Sequence, residues 1–295
     1  MEKLTFYILD VFAEEKYAGN QLAVIRDAGA LSDNQMQRIA KEMNYSETTF
    51  ILSEEPRDGG YDVRIFTPAF EVPFAGHPTL GTAYVIQHEI IKKPVELVNL
   101  NLKVRQIPVT FNYKGEQADT LWMKQIEPIF GQTIEQQSIS EVLGIDGSDI
   151  DERLPVQEVS TGLFFMIVPL KTLDAVKRAK IGGEKYLRLI EDRKAKDILV
   201  FCPETYSQEN NLNARMFFDC YGIREDPATG SANGCLAGYL VKHRYFGNDK
   251  IDVRVEQGHE IGRPSLLYLR AEEKAGKIDV SVGGKVVMVA KGELI

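Results

Sequence analysis

Stretches in which apolar and polar residues alternate recur through the first half of the chain and predict β-strands. The predicted strands cover residues 4–12, 22–25, 48–52 and 61–67. One stretch between them, residues 32–44, has helical periodicity, with apolar residues on one face and a capping-box pattern at Ser32 and Gln35. The first half of the chain is therefore predicted to be a sheet with one amphipathic helix.

Two other helical stretches, 77–87 and 231–242, are apolar around most of their circumference. A helix of this kind is expected to be buried, because it has no polar face to turn toward water. The segments that lead into them are also alike. They share Glu-x-Pro-x-x-Gly, and four identical residues stand 154 positions apart, for example Glu71 and Glu225 (225 − 71). The chain is therefore predicted to use one fold twice.

The rest of the second half repeats the order of the first at slightly different offsets, which indicates short insertions in loops. Gly162 corresponds to Gly19, Asp197 to Glu47, and the predicted strand at 215–217 to that at 64–66. A charged helical stretch, 183–196, corresponds to the helix at 32–44. Strands are expected at 164–168, 197–201, 265–271, 277–282 and 285–290.

The predicted fold class is α/β (α+β), with two similar domains related by a pseudo-two-fold axis. Each domain is a curved, mostly antiparallel sheet wrapped around a central helix. The predicted domains are 1–122 and 123–295, joined near 119–132, and the last strand, 285–295, is a candidate to cross back into the first domain.

Composition narrows the range of partners. The chain has 295 residues, is 44% hydrophobic and carries a formal net charge of −8, without a basic run that would bind nucleic acid or an anionic membrane. Its three cysteines, Cys202, Cys220 and Cys235, cannot all pair, which suits a reducing compartment. The first residues lack a signal-peptide pattern, and no apolar run approaches the ~20 residues of a membrane span. A cytoplasmic protein is expected.

The two glycine-led helix starts are the first candidates for chemistry. A helix N-terminus offers backbone N–H groups and a partial positive charge to an anion. Gly76 and Gly230 with Ser231 are therefore predicted to bind a carboxylate, the two ends facing each other across a cleft. The alternative is that both are ordinary capped helices.

Three side chains could move or hold a proton. Glu47 stands in a loop just before a strand, where it could act as a general acid/base or simply be a solvated turn carboxylate. His77 could bind a carboxylate or act as a second acid/base, or cap its helix. Asp226 could bind a substrate amine or orient a proton, or cap the turn that follows it. Ser231 is an N-cap first and a ligand contact second.

Metal and nucleotide sites have no support in the sequence. His88, His243 and His259 are scattered and form no ligand-spaced cluster with cysteines, and neither GxGxxG nor GxxxxGKS occurs. No cofactor is expected.

Taken together, several motifs resemble the PhzF (phenazine-biosynthesis) family of isomerases across essentially the whole chain. These are GNQLAV, SET at 46–48, FTPAFEVPFAGHPTLG, STGLFFMIVPL, REDPATGSANG and QGHEIGRPS. The resemblance implies a diaminopimelate-epimerase-like fold with the active site between two domains, no cofactor, and a homodimer. It also implies that Glu47 is the acid/base and that His77, Asp226 and Ser231 line the pocket, where Asn20, Gly76, Thr229 and Gly230 complete the predicted substrate-binding set.

One departure from neighbouring families matters for the chemistry. Amino-acid epimerases and proline racemases of this fold use two cysteines, one before each motif glycine, where this chain has Ala75 and Thr229. A methyl group carries no proton, and a threonine hydroxyl is too weak an acid and base at neutral pH. The leading hypothesis is an isomerase that moves a proton with one glutamate on a small carboxylate substrate. The alternatives are an epimerase with carboxylate bases and a small-molecule-binding protein without turnover.

Overall fold

The computed structural model describes residues 3–218 and 223–295, so Cys220 lies outside the described residues. The chain divides into two compact units. The first unit is Met1–Met123 with Gly283–Ile295, and the second is Lys124–Val282. The last strand pairs antiparallel with the first strand of the chain, so the second unit ends at Val282 and not at residue 295.

The first unit contains nine strands and two α-helices among its described residues. The strands are β1 (Leu4–Val11), β2 (Asn20–Ile25), β3 (Glu47–Ile51), β4 (Tyr61–Phe66), β5 (Glu71–Val72), β6 (Leu97–Asn101), β7 (Gln106–Lys114), β8 (Gln117–Lys124) and β18 (Val286–Leu294). The helices are α1 (Asp33–Met43) and α2 (Gly76–Val85), and α2 continues into a π-helical turn, Ile86–Ile91.

The second unit has nine strands and four α-helices within the part of the chain that is described. The strands are β9 (Ile129–Ile134), β10 (Val156–Ser160), β11 (Phe164–Pro169), β12 (Asp197–Cys202), β13 (Leu212–Phe218), β14 (Ile223–Asp226), β15 (Lys250–Gln257), β16 (Ser265–Lys274) and β17 (Lys277–Gly284). The helices are α3 (Gln136–Leu143), α4 (Leu173–Arg178), α5 (Gly183–Ile190) and α6 (Gly230–Lys242).

Strand pairing follows the same order in both units. In the first, β2 runs parallel to β3, β3 antiparallel to β4, and β4 pairs antiparallel with β5 and parallel with β6. In the second, β11 runs parallel to β12, β12 antiparallel to β13, and β13 pairs antiparallel with β14 and parallel with β15. The register agrees as well. Ile65 is opposite Val72 in the first unit, and Met216 and Asp226, which stand at the equivalent positions, are opposite each other in the second. The repeat seen in the sequence is therefore a repeat of structure.

The two central helices, α2 and α6, are buried along nearly their whole length. α2 packs on β1, β2, β3, β6 and β7, and α6 packs on β10, β11, β15 and β16. Strands can surround these helices because neither has a polar face. Both predicted central helices are confirmed, each beginning one residue earlier than predicted, at its glycine.

Close approach of α2 to the sheet depends on Gly81. A Cβ atom at this position would lie 2.5 Å from Leu22 Cδ2 and 3.0 Å from Val11 Cγ2, which is too close for carbon atoms. The helix therefore sits against β1 and β2 at a distance that only glycine permits.

We expect Gly81→Ala to lower the free energy of unfolding by about 1–3 kcal/mol, because overpacking outweighs the better helix propensity of alanine. Urea denaturation measures this change. Gly147→Ala is the control, since the nearest atom to its added Cβ is 3.9 Å away. Equal stability of the two variants would mean that α2 can shift without cost.

The outer helices differ more between the two units than the central ones do. In the first unit α1 has the predicted capping box between Ser32 and Gln35 and packs Met36 and Ala40 onto the sheet. In the second unit α3, α4 and α5 cover a larger apolar cluster. Neither α3 nor α4 was predicted from the sequence, and α5 ends at Ile190 and not at residue 196 as predicted.

Residues 119–132, predicted as the join between domains, contain most of β8 and the start of β9. None of the described helices has the length and apolar character needed to cross a membrane.

A repeated ion pair holds the segment that leads into each central helix. Arg64 forms two 2.9 Å hydrogen bonds to Glu71, and Arg215 forms two to Glu225, of 2.9 and 2.7 Å. Each guanidinium also lies over the phenylalanine two residues further on, 5.0 and 4.8 Å from the ring centre. Each glutamate precedes the first glycine of its helix by five residues, so bidentate pairing fixes the approach to both helix starts.

Candidate active site

The predicted site residues fall into two clusters, one in each unit. The Glu47 cluster consists of Asn20, Glu47, Gly76 and His77 in the first unit. The Asp226 cluster consists of Asp226, Thr229, Gly230 and Ser231 in the second. Each cluster includes the first residues of its unit's central helix.

In both central helices the first backbone N–H groups precede the first helical hydrogen bond. In α2 the first described helical bond runs from Thr79 N to Ala75 O, at 3.3 Å, and in α6 it runs from Asn233 N to Thr229 O, at 3.0 Å. Neither N-cap, Ala75 or Thr229, caps its helix through a side chain. N–H groups at such a position, aligned with the helix dipole, suit a carboxylate or a developing negative charge.

Strands β2 and β3 bring two members of the Glu47 cluster to the same end of the sheet, because these parallel strands begin at Asn20 and Glu47. Glu47 is the first residue of β3 and stands opposite Leu22 of β2, so it lies in the sheet and not in the predicted loop. Asn20 begins β2 and is buried. It follows Gly19, where φ is +65° and an added Cβ would lie 2.4 Å from Val11 O. The turn before Asn20 therefore requires glycine.

Glu47 and His77 are in direct contact. Glu47 Oε2 lies 3.4 Å from His77 Nε2, and the two side chains are 19% and 7% exposed. The Glu47 side chain is therefore partly exposed, although its Oε2 is buried, and the imidazole is almost enclosed. A carboxylate beside an imidazole at a helix N-terminus is an arrangement that can take up and return a proton.

Burial lowers the pKa of His77 from 6.5 to about 3, and a hydrogen bond with the backbone of Gln21 raises it only in part. The imidazole is therefore neutral at neutral pH, and its contact with Glu47 is not an ion pair. Because Nε2 faces Glu47 and a bond to a backbone carbonyl needs a ring N–H, we assign the proton to Nδ1. Nε2 then presents a lone pair to Glu47.

This lowered pKa predicts how stability depends on pH. Between about pH 3 and 6.5 the unfolded chain binds a proton at His77 and the folded chain does not, so stability rises with pH and levels off above 6.5. Relative to His77→Gln, the parent should lose about 1.4 kcal/mol of unfolding free energy per pH unit below 6.5. Urea titrations at pH 4.5 to 8 measure the difference. Parallel pH curves for the two proteins would contradict a neutral, buried His77.

In the Asp226 cluster the hydroxyl of Thr229 is hydrogen-bonded to the carboxylate of Asp226. Thr229 Oγ1 donates to Asp226 Oδ2 at 2.5 Å, and both residues are buried. The hydroxyl therefore orients the carboxylate and does not cap α6. Ser231 is only partly buried, and its carbonyl accepts a 3.4 Å hydrogen bond from Thr161 Oγ1.

Two buried amides behind this cluster were not predicted as site residues. Gln257 Nε2 donates to the Asp226 carbonyl at 2.8 Å, and Gln257 Oε1 accepts from Asn233 Nδ2 at 2.8 Å and from Thr229 N at 3.3 Å. Asn233 Nδ2 also donates to Thr229 O at 3.0 Å. A signal was available, because Asn233 is an amide within an otherwise apolar, buried helix, where a polar side chain needs a partner.

The described cysteines are poorly suited to acid/base work. Cys202 and Cys235 are unpaired and buried, and burial raises the pKa of each to about 12. The Sγ atom of Cys235, a residue of α6, lies 3.5 Å from Thr161 Oγ1. In residues 3–218 and 223–295 no group of three or more His, Cys, Asp and Glu side chains is arranged to hold a metal ion.

Sequence comparison identifies relatives across the chain. The family model described as PhzC-PhzF, phenazine biosynthesis-like protein, matches residues 9–292. The chain is 34% identical over 286 residues to a trans-2,3-dihydro-3-hydroxyanthranilate isomerase of Pseudomonas aeruginosa, with 95% of each protein covered.

Structure comparison confirms the predicted fold class. The Bacillus anthracis phenazine biosynthesis protein of the PhzF family superposes with a TM-score of 0.91 at 26% identity, covering 100% of both chains. A probable proline racemase of Agrobacterium radiobacter has a TM-score of 0.60 at 10% identity, covering 99% of this chain and 93% of the racemase. The racemase likeness concerns the fold alone.

Proposed function

Since this chain belongs to the PhzC-PhzF family of phenazine biosynthesis-like proteins and is an isomerase, we propose that it relocates a proton on a small carboxylate-bearing substrate. The substrate is a cyclic, amino-acid-like molecule. Glu47 is the acid/base, and the reaction uses no cofactor.

The proposed step balances without a second reactant. The Glu47 carboxylate removes a proton from a carbon next to a C=C bond, and the electron pair of the broken C–H bond forms a new C=C bond. The electrons of the original C=C bond then take a proton from the Glu47 carboxylic acid at the far carbon. The enzyme returns to its starting state, and the product is an isomer of the substrate.

The observation that carries this proposal is the contact between Glu47 and a neutral His77. At 3.4 Å, the Nε2 lone pair of His77 can accept a hydrogen bond from the protonated form of Glu47, and this would stabilise the intermediate stage of the transfer. The Glu47 side chain is partly exposed, whereas its Oε2 atom and the facing Nε2 of His77 are buried.

The remaining predicted residues are proposed to bind the substrate. Amides of Gly76 and of Gly230 and Ser231 stabilise its carboxylate and the charge that develops as the proton leaves. Asp226, oriented by Thr229, binds the substrate's amino group. Asn20 supplies a further polar contact beside Glu47.

The name of the Pseudomonas relative supplies the first substrate to test, trans-2,3-dihydro-3-hydroxyanthranilate. We expect the protein in D₂O to convert it, or a close cyclic amino acid, into a positional isomer that carries deuterium at the carbon that is newly protonated. NMR and mass spectrometry of the product measure this. Recovery of the substrate unchanged, or of a product whose double bonds all keep their original positions, would contradict proton relocation.

Chiral analysis of the same reaction separates the proposal from epimerisation. An epimerase inverts one carbon and leaves every double bond in place, whereas a proton relocation moves a double bond. Saturable binding without any turnover or exchange would instead favour a binding protein.

We also propose that the enzyme is a homodimer in the cytoplasm. Family resemblance supports the dimer, and the unpaired state of Cys202 and Cys235 suits a reducing compartment. Light scattering should give twice the chain mass of 33.2 kDa, and a value near 33 kDa would contradict the dimer.

A further inference from the structure

The duplicated fold provides an internal comparison for the Asp226 cluster. Residues at equivalent positions can be paired through the shared strand register and the 154-residue offset of the central helices. The second unit has four polar residues where the first unit has three apolar residues and one threonine. The pairs are Asp226 with Val72, Thr229 with Ala75, Asn233 with Thr79, and Gln257 with Leu102.

The fold itself does not need the second unit's amides. In the first unit Thr79 Oγ1 donates to Ala75 O at 2.7 Å, the bond that Asn233 makes to Thr229 O in the second. Leu102 fills the position of Gln257 with a buried apolar side chain. A threonine and a leucine therefore suffice to hold a central helix of this kind against its strands.

The amides also carry a cost in stability. Asn233 is fully buried, and within the described residues its Oδ1 has no hydrogen-bond partner. An unsatisfied buried acceptor is unfavourable, so threonine would be the cheaper residue for the shared bond. What Asn233 adds is its second N–H, which binds Gln257 Oε1 at 2.8 Å and so holds Gln257 on the Asp226 carbonyl.

We infer that Asn233 and Gln257 are positioning residues that fix Asp226 and the amide-rich start of α6 for the reaction. Gln257 bonds to the carbonyl of Asp226 and to the backbone amide of Thr229, which are the two ends of a short loop. The side chains of these two loop residues also bond to each other. A neighbouring backbone contact supports the same loop. Gly258 has φ +80° and approaches so closely that an added Cβ would lie 2.6 Å from Pro227 O. This inference rests on the proposed function only for the identity of the reaction.

The test replaces Asn233 and Gln257, in the full-length protein, with the residues that stand at the equivalent positions of the first unit. We expect Asn233→Thr and Gln257→Leu to lower kcat about tenfold each and also to raise KM, because a displacement of a fraction of an ångström moves both the α6 amides that stabilise the developing charge and the Asp226 carboxylate that binds the amino group. Asn233→Thr should keep or raise the melting temperature. Gln257→Glu keeps the acceptor for Asn233 but loses the N–H that binds the Asp226 carbonyl, so it should lower kcat as well. A purely structural role predicts the opposite pattern, a lower melting temperature with unchanged kcat, and that result would overturn the inference.

Amide hydrogen exchange followed by mass spectrometry gives a readout that needs no substrate. Both variants should speed exchange in residues 226–233 and leave 75–80 unchanged. The control is Gln87→Met, which removes a buried amide bonded to Lys93 O in the first unit and should not alter exchange at 226–233. If the parent isomerises no candidate substrate, the proposed function fails while this measurement still decides the positioning role. Unchanged exchange at 226–233 would overturn it.

Discussion

Replacing Glu47 with Gln should lower kcat by about 10³-fold, since glutamine keeps the shape of the side chain but can neither accept nor return a proton. KM should change little, because substrate binding is assigned to amides and to Asp226. Steady-state kinetics on the substrate identified by deuterium incorporation measures both constants.

The duplicated fold supplies a matched control for this variant. Asp197 begins β12 as Glu47 begins β3, and it stands opposite Phe165 as Glu47 stands opposite Leu22. Asp197→Asn therefore removes a carboxylate from the equivalent position of the other unit. We expect it to keep a kcat near that of the parent, whatever it costs in stability. If the two variants lost activity equally, the loss would reflect the strand edge and not the proton carrier.

The second large effect is expected for Asp226→Asn. Loss of a charged hydrogen bond to the substrate's amino group should lower kcat/KM by about 100-fold, mostly through KM. Substrate analogues that lack the amino group should bind the parent and the variant alike, and calorimetry measures this.

Asp151→Asn is the control, because Asp151 is also buried in the second unit but is paired with Arg153. It should leave kcat/KM within a few-fold of the parent. A loss through kcat alone in Asp226→Asn, with analogue binding unchanged, would move Asp226 from substrate binding to proton transfer.

The duplication could be predicted from the sequence because its marks are local. Helices α2 and α6 lack a polar face, and each follows the same Glu-x-Pro-x-x-Gly segment. Burial of such helices follows from hydrophobicity alone. The bidentate pairs of Arg64 with Glu71 and of Arg215 with Glu225 explain why these residues recur at matching positions.

The rest could not be predicted because it depends on contacts between residues distant in the chain. Gln257 reaches Asp226 only because β15 lies beside β13, a parallel pairing across more than 30 residues that no local pattern records. The same reason explains why Glu47 was expected in a loop, because its place in β3 depends on parallel pairing with Leu22 of β2. Helices α3 and α4 are six to eight residues long, too short for a clear periodic signal.

The central claim is that one carboxylate, that of Glu47, both removes and returns the hydrogen. The most direct measurement uses substrate deuterated at the carbon that loses its proton, with the reaction run in H₂O and stopped early. We expect the parent to give product that retains part of the label at the newly protonated carbon, and Glu47→Gln to give no product in the same time. Complete replacement of the label by solvent hydrogen, together with an undiminished rate in Glu47→Gln, would contradict the account.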